Sequence, residues 1–481
     1  MVVKENLEKT ISAMYNTPLD SEYENILLVS DDYANKAHRL DEIGGSFLRR
    51  YYLLDDETDL DKAISAHGDA VRLTPDGDNR QPEHLSHLGF SSLQRFKRCG
   101  HIPDLETSVF ASSTASMLTP DNHAAKPAAL ANLGSSLFFR FESLGDVDDL
   151  ELSVTVHEDA ARLSFHRPDN VVHLYNLGNS YQARFVHLGE IADIRRSIAA
   201  YEDAIRLALN DNALRATCLH NLGISLMKRF KCCDDPADAD RAIAAFESAT
   251  RLAEGDTTKT NGLGNFLDLL ASRFARLGEP RDLQKSVTLL THNVGLVSDD
   301  HARKPLLLGG LANSLDGLFQ RMGDIAGINQ SMLQLEKILQ IVPENDRNRG
   351  QYLLLLVTAL QHRFDRLKTR EDIDNSVALL EDAMGLTPSD TNLFVVLRAT
   401  SLTRRFELYG DRKDINESIA TLEEASGHDV EDHASILNNL ALRSSFATGA
   451  LGIPRTLICL LQHIRMLRDQ LRLVLPTGMP C

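Results

Sequence analysis

Eight arginines recur along this chain, each with an aspartate nine residues further on. The pairs are Arg50 with Asp59, Arg95 with Asp104, Arg140 with Asp149, Arg184 with Asp193, Arg229 with Asp238, Arg273 with Asp282, Arg363 with Asp372 and Arg405 with Asp414. Two chemistries suit such a series. The guanidinium groups could line up to grip phosphates or carboxylates. Alternatively, each could hold its own aspartate through charge-assisted, forked hydrogen bonds. One copy of the series separates these readings. Where Leu318 replaces the arginine, Gly327 replaces the aspartate, so both partners are lost together. The pattern predicts structural ion pairs, with Arg140–Asp149, Arg184–Asp193 and Arg273–Asp282 each within about 4 Å.

Other reactive residues form poorer constellations. Cys232-Cys233 has His220 upstream but lacks the spaced C-x-x-C pairs of a metal site. Cys459 and His463 stand one helical turn apart among apolar residues, with nothing to supply an oxyanion hole. Gly262-x-Gly264 has no preceding strand to make it a dinucleotide loop. The Asn-x-Ser triplets at Asn329 and Asn416 fall at helix starts and read as chance. No catalytic residue, metal or cofactor is expected.

The elements that position the arginines repeat with them. An aromatic residue follows each arginine: Tyr51, Phe96, Phe141, Phe185, Phe230, Phe274, Phe364 and Phe406, with Phe319 after Leu318. Counted along all nine, the steps are 45, 45, 44, 45, 44, 45, 45 and 42 residues. Nine copies at one period describe an array rather than separate globules. The first half of each unit reads L-x-x-L-G-x-x-L-x-x-R-F-x-x-x-G. In the fourth copy this is Leu174, Leu177, Gly178, Tyr181, Arg184, Phe185 and Gly189. Apolar residues three and four apart make one helix face, and the closing glycine ends the helix. The second half begins with the aspartate, as at Asp149-Leu150 or Asp372-Ile373, where it is expected to cap a second helix. Four residues after the aspartate stands a small residue, as at Ser108, Ser153, Ser197 and Ser331, expected to let two helices approach. Gly44, Gly89, Gly134, Gly178 and Gly223 should do the same on the first helix. Later copies carry Leu267, Ala312, Val357 and Ala399 there, which would set their helices further apart or at another angle. Each repeat is expected to be a hairpin of two helices of about four turns each, with no strand.

At these residues the chain resembles the tetratricopeptide repeat family. Leu174, Leu177-Gly178, Tyr181, Ser197, Tyr201 and Ala204 fall in the family's order. Two departures stand out: the chain has no tryptophan, and Gly178 to Ser197 spans 19 residues, about two helical turns more than the family's spacing. More narrowly, the Arg-Phe repeat looks like that of fungal tetratricopeptide-like proteins, many of which carry a caspase-like (CHAT) protease domain. That domain is not expected in this chain. A more distant similarity is to kinesin light chains. The resemblance implies a right-handed α-solenoid of about nine hairpins over residues 38–445. A partial hairpin and irregular lead-in would occupy 1–37, and a basic capping helix (Leu457 to Leu475) would lie within 446–481.

Composition agrees. The 481 residues carry 51 basic and 68 acidic side chains, a net charge of −17, which speaks against nucleic acid and anionic membranes. There is no apolar run of 18 residues and no secretory h-region in the first residues, so a cytoplasmic protein is expected. The resemblance implies a non-catalytic scaffold whose concave groove takes a protein or peptide. The alternative is the regulatory half of a caspase-like protease system. Groove positions on the first helices are Tyr175, Asn179, Gln182, His220, Asp268, Asn313 and Asp316. The two aspartates would favour a partner with basic segments. The sequence leaves the oligomeric state open.

Overall fold

In this computed structural model residues 19–31, 35–165, 167–252, 256–344, 346, 348–386 and 391–426 are described. They fold into helices, with no strand among the described residues. A short α1 (Leu19–Leu28) precedes nine hairpins. These are α2 (Lys36–Leu54) with α3 (Glu57–Leu73), α4 (Gln81–Cys99) with α5 (Ile102–Leu118), α6 (Lys126–Leu144) with α7 (Val147–Leu163), and α8 (Asn170–Leu188) with α9 (Ile191–Leu207). Then come α10 (Asn212–Cys233) with α11 (Pro236–Leu252), α12 (Asp256–Leu277) with α13 (Pro280–Leu296), and α14 (Lys304–Met322) with α15 (Ile325–Ile341). The last are α16 (Arg349–Leu367) with α17 (Arg370–Leu386) and α18 (Thr391–Tyr409) with α19 (Arg412–Ser426). The chain forms two compact units, Met1–Leu269 and Leu270–Cys481. Both are all-α helical-repeat structures, in which helices pack against their neighbours in sequence, as α2 with α3 and α14 with α15. The capping helix, the pair Cys459/His463 and the half-hairpin from Asn6 lie outside the described residues.

The helices are longer than the sequence suggested. Most first helices run 19 residues and most second helices 17, about five turns each. The connection inside each hairpin is two residues, such as Gly145-Asp146, so the extra length relative to the tetratricopeptide pattern is helical. That tight turn needs one residue in the left-handed conformation. Gly100, Gly145, Gly189, Gly278, Gly323 and Gly410 supply it, and Asp55, Asp234 and Lys368 adopt it despite their side chains. Each donates its N–H to the carbonyl of the repeat's aromatic residue four positions earlier, for example Gly145 to Phe141 at 2.8 Å.

The repeating aspartate is not the helix cap. It is the third residue of the second helix, as Asp149 is in α7. Capping belongs to a residue three places earlier: Asp56, Asp146 and Asp324 accept from the amides of Thr58, Asp148 and Ala326. The reason is reach. One turn inside the helix, the carboxylate faces back toward the arginine while remaining near the positive end of the helix dipole.

Arg140 donates through Nε and Nη2 to the two oxygens of Asp149, both at 2.6 Å. Arg184 holds Asp193 at 2.8 and 2.7 Å, and Arg273 Nε donates to Asp282 at 3.1 Å. The third guanidinium nitrogen reaches the preceding hairpin. Arg95 Nη1 meets Asp61 at 2.7 Å, Arg140 meets Glu106 at 3.3 Å, and Arg184 meets Glu151 at 2.8 Å. In the first described hairpin, Asp20 of α1 takes that role toward Arg50. So α1, in a stretch read from sequence as irregular, completes both the ladder and the core, where Leu19 packs with Ile43 and Phe47.

The small-residue column does more than allow close approach. Ser108, Ser153 and Ser197 donate to the carbonyls of Gly89, Gly134 and Gly178 at 2.7, 2.8 and 2.9 Å. The same hydroxyls meet Ser136, Ser180 and Ser225 of the next hairpin. The glycines, for their part, make room mainly for side chains. A Cβ on Gly134, Gly178 or Gly223 would come within 2.8 Å of the ring of His157, Tyr201 or Phe246, each 23 residues on. In the second unit Ala312 and Val357 are buried instead, and the residue 23 further on is Leu335 or Leu380.

Candidate functional site

The first helices of the first unit carry a second ladder, of polar side chains, on the face where the sequence placed a groove. It joins a residue on one first helix to a residue 45 or 46 positions later on the next. Tyr175 Oη accepts from Asn221 Nδ2 at 3.3 Å. His220 Nε2 meets Asn265 Nδ2 at 3.3 Å. Burial lowers the pKa of His220, so its neutral ring accepts from the amide. Nearer the amino terminus, Ser86 accepts from Asn132 at 3.0 Å and Asp41 pairs with His87 at 2.9 Å.

Cross-links to neighbouring elements hold these groups still. Asn179 Oδ1 accepts from Tyr201 Oη at 2.6 Å. Gln182 Nε2 donates to Ser225 Oγ at 2.7 Å, and that hydroxyl also meets Ser197. The Tyr175 ring lies 6.2 Å from that of Tyr201, and the His220 ring 5.4 Å from Phe246. Tyr175, Asn179, Gln182 and His220 are all half-buried. They lie on one polar face across α8, α9, α10 and α12, where Tyr175 and Gln182 share one hydrogen-bonded group and His220 forms a separate pair, completed by Asn221, Ser225 and Asn265. The sequence reading missed those three, although their spacing of about 45 residues from a groove position was there to be read.

The acidic candidates are countered by basic side chains. Asp268 is exposed and paired with Lys231 Nζ at 2.6 Å. In the second unit, His362 Nδ1 lies 3.0 Å from Asp316, and this hydrogen bond and charge raise the imidazole pKa above its ordinary value. Asn313 is exposed on the same helix, α14. Cys232 and Cys233 are exposed free thiols at the end of α10. His220, 13 residues earlier on that helix, is roughly 20 Å away along the axis, so the three do not converge.

No family model matches the chain, and no curated protein does either. Among solved structures it is similar to a tetratricopeptide repeat protein from Parabacteroides merdae, at 12% identity over 75% of this chain and 98% of the other, with a TM-score of 0.28. It is also similar to the apo form of RapI, at 10% identity over 81% and 98%, TM-score 0.39. A third is the TPR domain of P58(IPK), at 15% identity over 87% and 99%, TM-score 0.23. TM-scores below 0.5 do not establish a shared arrangement. No helix among the described residues is long and apolar enough to cross a membrane.

Proposed function

We propose that this chain is a non-catalytic, tetratricopeptide-like interaction scaffold of the cytoplasm, and that the first-helix face of its first unit binds a polypeptide. The observation that carries the reading is the polar face formed by Tyr175, Asn179, Gln182 and His220. These four side chains differ from repeat to repeat, while cross-links, several of them to a recurring Asn or Ser, hold them in fixed positions. A surface ordered before binding loses little side-chain entropy on association, and tyrosine offers both contact area and a hydroxyl to a partner. Neighbouring helices present these groups in a row, which suits an extended or helical segment better than a small molecule. Asp268 and Asp316 already have basic side-chain neighbours, so a basic partner segment would have to displace Lys231 or His362. That displacement makes a mixed polar and aromatic segment the better fit.

The test is affinity capture with the full chain, followed by mass spectrometry, comparing wild type with Tyr175→Ala/Asp268→Ala. Helicity is checked by circular dichroism. Loss of the same captured proteins from a folded double variant is the expected result. Unchanged recovery refutes the face. The narrower resemblance to the fungal CHAT-associated repeats has its own test: a neighbouring reading frame encoding a caspase-like domain whose product associates with this chain.

A further inference from the structure

Three repeat columns bring titratable side chains together at one place. In the first unit the column of Asp41 also holds Ser86, Ala131, Tyr175, His220 and Gly264, and the column of His87 also holds Glu42, Asn132, Asn176, Asn221 and Asn265. The ring column contains His67, opposite Gly44, where a Cβ would come within 2.5 Å of the imidazole. Asp41 lies on α2, His67 on α3 and His87 on α4, and one potential ligand atom from each falls within 4.8 Å of the others. Asp41 and His67 are buried, whereas His87 is half-exposed.

The hydrogen bonds allow a His67 tautomer whose lone pair faces Asp41. Ser91 Oγ donates to the His87 carbonyl at 2.8 Å, so toward His67 Nδ1, 2.7 Å away, it acts as acceptor. With the Ser91 proton on that carbonyl, the proton of His67 is on Nδ1, and Nε2 carries a bare lone pair. That nitrogen is buried at 1% exposure with no hydrogen-bond partner, and it stands 3.9 Å from Asp41 Oδ1. An electron-rich nitrogen and a carboxylate thus face each other across a gap with no proton between them, an arrangement that a cation resolves. His157, in the same column, has no such partner: Ala131 occupies the aspartate position, and His157 Nε2 is 3.4 Å from the Ala131 carbonyl.

We propose that Asp41, His67 and His87 form a binding site for a divalent transition-metal ion, which would join the first hairpin to the second. Tetrahedral ligation at 2.0–2.1 Å separates ligand atoms by about 3.3 Å. The 3.9 Å between His67 and Asp41 and the 2.9 Å between Asp41 and His87 lie on either side of that value. Entry of the ion replaces the His87–Asp41 hydrogen bond. Two imidazoles and one carboxylate suit zinc, cobalt, nickel or copper rather than calcium or magnesium. The fourth position opens on an adjoining cavity of about 730 Å³ lined by His38, Glu42 and Glu83 among others, where water can complete the shell.

The repeats themselves supply variants that should fold: His67→Phe, after Phe246, and His87→Asn, after Asn132. The untagged full chain is stripped with a chelator and titrated with Co²⁺, reading visible d–d absorption, and then with Zn²⁺ to displace it. One Co²⁺ per chain is expected, with more than tenfold weaker binding in each variant. His157→Phe, the same change one column-mate away, should leave binding untouched. Absence of stoichiometric Co²⁺ uptake by wild type overturns the proposal. So does equal uptake by the two site variants when circular dichroism shows them folded. Cobalt uptake is read without any polypeptide partner, so this proposal and that of the polypeptide-binding face fail separately.

Discussion

The two units use one period and one arginine ladder but fill their hairpins differently. In the first unit, glycine on the first helix faces a ring on the second: Gly44 with His67, Gly134 with His157, Gly178 with Tyr201 and Gly223 with Phe246. Gly89, with Ser112, is the small-residue exception. In the second unit Ala312 and Val357 stand in the glycine column, and leucines take the ring column. Volume is redistributed between the two positions, the kind of exchange a close-packed core tolerates best. The consequence is chemical. Rings bring imidazoles and a phenol into the first unit's interior, together with the hydroxyls that satisfy them. The second unit's interior at these columns is aliphatic and has nothing to titrate.

The largest test removes the filling side chains. Tyr201→Ala should cost roughly 3–5 kcal/mol and Leu335→Ala roughly 2–5 kcal/mol, because both are almost fully buried. Denaturant midpoints with circular dichroism would measure both. Equal, small losses would show that the columns are not core.

Acid should separate the units next. Burial lowers the pKa of His67 and of His157 from 6.5 to about 4. Each is neutral in the folded state and gains a proton more readily once unfolded. Their contribution is complete above about pH 6.5 and is lost as pH falls toward 4, by roughly 3 kcal/mol for His157. The groups facing His157 are Ser153, Ser180 and the Ala131 carbonyl, with the charge of His173 also acting on it. His157→Phe should flatten the fall in melting temperature between pH 6.5 and 4. An unchanged slope would place the acid sensitivity elsewhere.

The shared ladder should erase the difference between units. Asp149 and Asp372 are both buried, and removing either arginine strands a carboxylate. Arg140→Ala and Arg363→Ala should therefore cost similar amounts, about 1–3 kcal/mol each. The exposed Arg162–Asp159 pair should give less than about 0.5 kcal/mol. A large gap between the two ladder variants would break the idea of one common device.

Converting one packing style into the other is a finer test. Gly178→Ala pushes a Cβ to 2.7 Å from the Tyr201 ring, and Tyr201→Leu leaves a gap. The double variant reproduces the second unit's pairing and should recover at least about 1 kcal/mol over the sum of the single losses. Strict additivity would mean that the columns do not compensate.

The smallest effect concerns the turns. Gly145 has φ +76°, so Gly145→Ala should lose about 1 kcal/mol. Lys368, at φ 57°, is a strained counterpart, and Lys368→Gly should gain a similar or smaller amount. Thermal denaturation resolves both signs.

Much of this molecule was legible in its residues because a repeat writes its constraints several times. The 44–45 residue period, the helical pairing, the turn glycines and the coupled loss of Leu318 and Gly327 follow from sequence alone. Each reflects a local rule of helix periodicity, left-handed turns or paired charge, and the rule is visible wherever it recurs. Only the tertiary structure decided what each column is for. It moved the aspartate from the cap to the third helical position, because acidic residues crowd most helix starts and the spacing that paired the aspartate with its arginine left the first helical residue undecided. It turned groove candidates such as Tyr175 and His220 into rungs of a ladder, because their partners sit a full repeat away on another helix. It brought Asp41, His67 and His87 together from three helices. No periodic pattern marks such a convergence, since its members lie in three different columns and only the stacking of helices places them side by side.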